Sequence, residues 1–569
     1  MASRRYTAEQ AYALLCSDSE PELGSEDENF ICDSESDTSG SSSDHERPVN
    51  SRQQEDVQGS TPSVAQPLYT SQWIPASSFT PQIPTFIASP GININVENFG
   101  PVDFFKIFVD DELLQHMVDQ TNLNVTQFIA KHPTSSHRKR WVPTHLTEMK
   151  IVLGLLLNMG LVRKPKIRQY WASSPIHATP AFPSVMSRDR FEALLRFMHF
   201  NDNLQCPPSS DPTYDRLFKL RPLIYFLSKK FAAVYTPDKN ISIDESLMNF
   251  KGRLHFRQFI PSKRARCGIK FYKLCESTTG YTYGFLIYEG RDRHINPQGC
   301  PDNLGVSGKI VWQLIQPLLH QGYNLYVDNY YSSVTLFRSL HAAGTGACGT
   351  VRKNRKEFPQ QLVRQRLQRG TSLSYQQEEM MAVKFSDRKE VYMLTTIHPE
   401  GTVTVTERGS ATPKEKPLCI TAYNKYMGGV DLSDQILQPY LVLRKSKTWY
   451  KKVAIYLIQV AIHNSFVLYK KFGGTDTFLQ YQEKIIEHLM FQEDPRQPAE
   501  SEDVRRLTER HFLRPIPITA SCKFPRKKCR VCGKNGKRCH TRYHCPTCPS
   551  NPGLCLDPCF EIYHTIPHY

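Results

Sequence analysis

The chain has no long apolar run. Its most hydrophobic stretch, Ile151 to Val162, is broken by Gly154, Asn158 and Gly160 and bounded by Lys150 and Arg163, well short of the roughly 20 apolar residues a membrane span needs. It reads as a buried helix, and no membrane partner is expected. No charged segment followed by an apolar one opens the sequence, so secretion is not expected and the cysteines should stay reduced. Repeats at solenoid period are also missing. Negative charge is short everywhere except at the start. The first fifty residues hold twelve Asp and Glu against three Arg, a charge of −9, so the rest of a chain of net charge +16 carries +25. A body that basic attracts phosphate polyanions, with a merely soluble basic protein as the alternative. At 569 residues the chain is long enough for several cores.

From Ser17 to about Val57 the sequence is Ser, Asp and Glu, and Pro, Ser, Thr and Gln dominate on to about Pro90. No fold is expected there, and its acidic serine runs either keep the tail solvated or accept phosphate. Helical periodicity then marks Phe104 to Met117, Leu146 to Leu161, Phe191 to Phe200 and Leu217 to Val234. At Asn240 the period changes. Ile241 and Ile243 alternate into Asp244, and Lys270 to Glu276 and Tyr281 to Glu289 flank a Ser-Thr-Thr-Gly turn. A helix from Lys309 to Leu319 and a strand from Tyr323 to Val327 follow, the latter delivering Asp328. This order predicts a mixed α/β core. A basic segment with strands at Met381 to Phe385 and Val391 to Ile397 interrupts it, and helical spacing returns after Gly428-Gly429.

Carboxylates at those places suit phosphodiester chemistry. Two Mg²⁺ ions about 3.5 to 4 Å apart can activate an attacking oxygen and stabilise a leaving one, and Mg²⁺ requires oxygen ligands. Asp244 and Asp328 each end a strand, and Asp431 opens a helix with Asp434 one turn on. Singly, each is more often a cap or turn residue; together they can converge. Cations interleave with aromatics directly after Asp244, from Phe250 to Phe259 with Arg253 and Arg257, then Lys263 and Arg264. A second basic run holds Arg352 and Lys353. Both read as DNA contacts, or as solvated basic faces.

The last 48 residues hold eight of the sixteen cysteines. Cys529, Cys532, Cys545, Cys548, Cys555, Cys559, His564 and His568 supply ligands for two tetrahedral Zn²⁺ sites, with Cys539, His540 and His544 as competitors. So short a segment would draw most of its folding free energy from metal. The spacing resembles a cross-braced, RING-like module, which leaves a ubiquitin ligase as one reading.

The segments Ile241 to Ser246, Tyr326 to Ser333, Cys348 to Arg355 and Tyr426 to Gln435 resemble, in order and spacing, the signature blocks of piggyBac-type transposases. The resemblance runs from about Phe99 to Tyr569. It implies an RNase H-like catalytic core with a catalytic triad at Asp244, Asp328 and Asp431, Asp434 being a fourth acid for the Mg²⁺ pair. It also implies nicking at transposon ends, hairpin formation and joining at TTAA, with Trp449 stacking near the hairpin tip unless it is simply a core residue. The implied architecture is multidomain α/β. An acidic tail (1–95) precedes a helical DNA-binding and dimerisation domain in two parts (96–238 and 463–520). The RNase H-like core (239–351 and 426–462) is interrupted by an insertion domain (352–425), and a cysteine-rich zinc module (525–569) follows. Double-stranded DNA and a second copy of the chain are the implied partners. A nuclear location fits the basic run from Pro525 to Arg530. A descendant that binds DNA without cutting it remains the alternative to an active transposase.

Overall fold

The computed structural model describes residues 72–134, 141–261, 266–291, 293, 295–406, 413–442, 446, 448–491, 510–518, 522–548 and 550–566. The N-terminal acidic segment up to residue 71, and Lys263, Arg264 and His568, lie outside the described residues. Two compact units divide the chain between Met490 and Phe491.

The first unit opens on helices α1 (Pro101–Phe108), α2 (Asp111–Lys131), α3 (Leu146–Leu161), α4 (Arg188–Phe197) and α5 (Arg221–Val234). The run from Phe104 to Met117, expected as one helix, is therefore two. Val109 leaves helical geometry, and the Asp110 carboxylate accepts the Leu113 N–H at 2.9 Å to cap the second helix.

A ten-stranded sheet follows. Its longer strands are β1 (Asn240–Asn249), β2 (Cys267–Glu276), β3 (Thr282–Ile287), β4 (Asn324–Val327), β5 (Gly346–Thr350), β6 (Ser372–Gln377), β7 (Met380–Ser386) and β8 (Glu390–Thr395). In space the order is β6-β7-β8-β5-β4-β1-β2-β3. Strands β1, β2 and β3 are antiparallel neighbours, whereas β4 and β5 run parallel to β1. This is the mixed sheet of an RNase H-like core. The parallel crossovers carry helices α6 (Val306–Ile315) and α7 (Val334–Ala342). Residues assigned to an insertion supply the meander β6-β7-β8, which joins the same sheet where Met393 to Thr395 pair with Thr350 to Cys348.

After the meander come α8 (Leu418–Tyr426), α9 (Gly429–Leu437), α10 (Trp449–Lys471) and α11 (Phe478–Met490). Sixteen of the 23 residues of α10 are buried, so it is wrapped by protein on nearly every side. Among the described residues it alone is long and apolar enough to cross a membrane, and 78% of that apolar window is buried within the fold. Its Asn464 docks it to the sheet. Asn464 Oδ1 accepts the Thr282 N–H at 2.9 Å, and its Nδ2 donates to the Thr282 carbonyl at 2.8 Å, all fully buried. Asn464→Leu strands both backbone groups, each costing about 1–3 kcal/mol. Urea unfolding of the variant should show a loss of about 2–4 kcal/mol, and an unchanged midpoint would contradict the docking role.

Candidate active site and metal centres

Parallel pairing sets the site. Ile241 lies opposite Leu325 and Ile243 opposite Val327, so the next residues, Asp244 and Asp328, emerge side by side where β4 ends. A Cβ on Gly349 of β5 would meet the Val327 carbonyl at 2.4 Å, so that strand needs glycine to lie this close. Glu245 joins the two aspartates. Carboxylate oxygens of Asp244, Glu245 and Asp328 lie within 4.8 Å of one another, all half-buried. Two oxygens on one Mg²⁺ at about 2.1 Å span at most about 4.2 Å. Small side-chain adjustments suffice, and an all-carboxylate donor set fits a hard divalent cation.

Electrostatics favour that reading. Burial raises the Asp328 carboxyl above its ordinary range and Glu245 repels it further. The Tyr330 N–H, 2.9 Å from its Oδ1, the Tyr331 N–H and the Arg352 guanidinium pull the other way without cancelling the rise. Acids crowded like this are relieved by a cation. Tyr331 lies against them, fully buried, and its hydroxyl has no hydrogen-bond partner among the described residues.

Helix α9 carries the other two expected acids. A Cβ on Gly429 would fall 2.6 Å from Ser242 Oγ, and Asp434 Oδ1 accepts from Ser246 Oγ at 2.9 Å. The helix is thus anchored at residues on either side of Asp244 on one face of β1. Asp431 lies between these anchors, exposed and outside the 4.8 Å group, because α9 docks through Val430, Ser433 and Leu437. The third acid in that group is Glu245, which the sequence reading left out. Asp434 is engaged elsewhere: Lys273 Nζ, on a side chain 1% exposed, lies 2.9 Å from it. Burial lowers the Lys273 amine, and the Asp434 carboxylate more than restores it, so the amine stays charged. Lys273 is also the direct cross-strand neighbour of Asp244.

Of the expected DNA contacts, Arg253, Arg352 and Lys353 are exposed. Arg257 is half-buried and donates to the Lys251 and Gly252 carbonyls at 3.1 and 2.8 Å, which holds its own loop. Arg352 reaches Asn329 Oδ1 at 3.3 Å beside the acid group. Trp449 is half-buried at the start of α10, edge-on to Phe256 with ring centroids 5.5 Å apart.

The second unit holds two quartets. Cys529, Cys532, Cys555 and Cys559 form one, and His511, Cys545, Cys548 and His564 the other. A tetrahedron built on Zn–S of about 2.3 Å and Zn–N of about 2.05 Å has edges of about 3.8 Å between sulfurs and about 3.6 Å from sulfur to nitrogen. Cys532 Sγ lies 3.5 Å from Cys559 Sγ and 4.0 Å from Cys555 Sγ, and Cys548 Sγ lies 3.5 Å from both His511 Nδ1 and His564 Nε2. These spacings suit Zn²⁺. Burial pushes the Cys529 and Cys545 thiols up, but backbone N–H groups and, for Cys545, His511 outweigh it and hold both below the ordinary value. His564 Nδ1–H donates to the Phe560 carbonyl at 2.8 Å, which turns Nε2 toward the site. Among the described residues His511, from upstream, completes the second quartet; His568 lies outside them. Cys539 Sγ, 3.6 Å from Cys555 Sγ, stays beside the first quartet.

A mixed sheet with acids at adjacent strand ends thus occurs in the same chain as a cross-braced Cys/His module. Residues 100–466 match the family described as Transposase IS4, and residues 508–565 the one described as DDE_Tnp_1-like zinc finger. The chain belongs to the piggyBac-type transposase family. PiggyBac transposable element-derived protein 3 of Homo sapiens is 28% identical over 408 residues, 68% of this chain and 65% of that protein. PiggyBac transposable element-derived protein 2 of Homo sapiens is 27% identical over 398 residues, 66% and 63% of the two chains. The chain thus spans just under two thirds of the length of these relatives. A cryo-EM structure of a piggyBac transposase synaptic complex with hairpin DNA shares the fold, with a TM-score of 0.63 and 23% identity over 82% of this chain and 98% of that one.

His511→Ala removes one ligand of the second quartet and none of the first. Metal analysis of the purified variant should give about one Zn²⁺ fewer per chain than the parent; an unchanged content would point to His568 as the ligand instead.

Proposed function

We propose that this chain is a cut-and-paste DNA transposase that excises a DNA transposon and inserts it at TTAA by nicking, hairpin formation and strand transfer. The observation that carries this reading is the Asp244–Glu245–Asp328 group at adjacent strand ends of an RNase H-like sheet, in a chain of the piggyBac-type family. Asp244 and Asp328 hold Mg²⁺, and Asp431, on a helix pinned at Ser242 and Ser246, is the third member of the triad. Bound there as a pair, Mg²⁺ supplies activation of the attacking oxygen and stabilisation of the leaving one. Lys273 neutralises Asp434 from beneath and so keeps α9 seated beside Asp244.

The exposed cations Arg253, Arg352 and Lys353 bind backbone phosphates around the acids. Arg352 is suited to this, since it faces Asp328 and can hold a phosphate at the edge of the pocket. Trp449, half-exposed, can stack on an unpaired base near the hairpin tip. The C-terminal module holds two Zn²⁺ and recognises the transposon ends, with Lys527, Lys528 and Arg530 lining a cavity of about 450 Å³ on its surface. Action as a homodimer on two ends, in the nucleus, completes the proposal.

A second reading has its own support, because the human relatives are named as transposable element-derived proteins. A chain that binds transposon ends without cutting would be its outcome. The test is Mg²⁺-dependent nicking of TTAA-flanked candidate ends by the purified full chain. Asp328→Asn should lower nicking by at least roughly 10³-fold, matching several kcal/mol of lost charge stabilisation, with DNA affinity held within about twofold because no phosphate contact is removed. Full nicking by the variant would overturn the assignment, and end binding without nicking by the parent would favour the second reading.

A further inference from the structure

The Tyr331 side chain is fully buried, yet its hydroxyl donates to and accepts from nothing among the described residues. Its ring packs edge-on to Tyr272 and Tyr330, at 6.4 and 5.0 Å between centroids. Phenylalanine would serve that packing without burying an unpaired polar atom. The hydroxyl therefore needs a reason of its own. Its surroundings supply one: Tyr331 packs on Tyr272, the direct cross-strand partner of Glu245, and follows Asp328 by three residues, so it sits beside the acids whose oxygens gather within 4.8 Å. A donor placed among acceptors, and unpaired, is poised for a bond that forms when the acceptors move.

We propose that Tyr331 is a positioning residue of the divalent-cation pocket, its Oη donating to the Glu245 carboxylate and so fixing which carboxylate oxygens face a bound cation. Three carboxylates drawn toward one ion must each turn an oxygen inward, and a hydrogen bond on the remaining Glu245 oxygen locks that orientation. The main chain makes the placement firm. Tyr331 follows Asp328 in a turn where the Tyr331 and Ser332 N–H groups both bond to the Asp328 carbonyl, at 3.3 and 3.1 Å. Glu245 thereby becomes a working ligand and Tyr331 its support. The inference rests on the cation reading of this site.

The test is Mn²⁺ binding to the full chain, followed by electron paramagnetic resonance of free Mn²⁺, in four proteins: the parent, Tyr331→Phe, Glu245→Gln and the double variant. Tyr331→Phe should weaken Mn²⁺ binding by roughly ten- to a hundredfold, the worth of one hydrogen bond to a charged group that supports a metal ligand. Without metal it should melt at the same temperature as the parent or higher, since an unpaired buried hydroxyl is gone. In the Glu245→Gln background the same change should cost nothing further, because the two act as one unit. Unchanged affinity in Tyr331→Phe, or full additivity in the double variant, would overturn the proposal while the cation site itself stands. Asp328→Asn separates the two ideas. If the parent binds Mn²⁺ no better than Asp328→Asn does, the cation reading falls and this proposal with it.

Discussion

Carboxylates held side by side at half-buried strand ends repel one another, and the rest of the site follows from that constraint. Parallel pairing of β1 and β4 leaves Asp244 and Asp328 no choice but proximity. Burial and the neighbouring Glu245 then make Asp328 harder to ionise than an ordinary aspartate. Backbone N–H groups in the turn after β4 offset part of the cost. A divalent cation bound there would offset the remainder, so the crowding of these acids and the pocket's fitness for a hard metal are one property seen from two sides.

The frame around this pocket keeps it from relaxing. On one face of β1, Ser242 receives Gly429 at a distance no side chain would tolerate, and Ser246 bonds Asp434. Lys273 lies across the strand from Asp244, and its charge is matched by Asp434 from α9. A buried amine so close to the acids would otherwise compete with a metal for Asp244. Pairing it with Asp434 gives it a dedicated partner and ties α9 to the sheet with the same contact. Behind α9, the buried helix α10 closes the core and hooks the β3 edge through Asn464.

Much of this was legible in the residues. Asp244 and Asp328 stood at the ends of alternating runs, and period-two alternation gives strand ends reliably. Glu245 was not legible, because alternation sends it to the face opposite Asp244, and only the turn carrying Asp328 lets one group include all three. Asp434 looked like a metal ligand by its one-turn spacing from Asp431, but its lysine lies 161 residues away and no local pattern reveals such a partner. The strands of the 352–425 segment were visible as a hairpin, whereas their pairing onto β5 depends on long-range register that local sequence does not encode. In the C-terminal module the interleaved cysteines showed cross-bracing. His511, which completes the second quartet among the described residues, lies 34 residues upstream of Cys545, too far for a local spacing pattern to suggest.

Residues 244 and 328 share one cation in the proposed site. Fe²⁺ put in place of Mg²⁺ in the full chain, with ascorbate and peroxide, releases hydroxyl radicals that cut the backbone beside the bound ion. Cuts should map next to Asp244 and next to Asp328 and disappear in excess Mg²⁺. Cuts confined to the C-terminal module, or at only one of the two aspartates, would contradict the shared site.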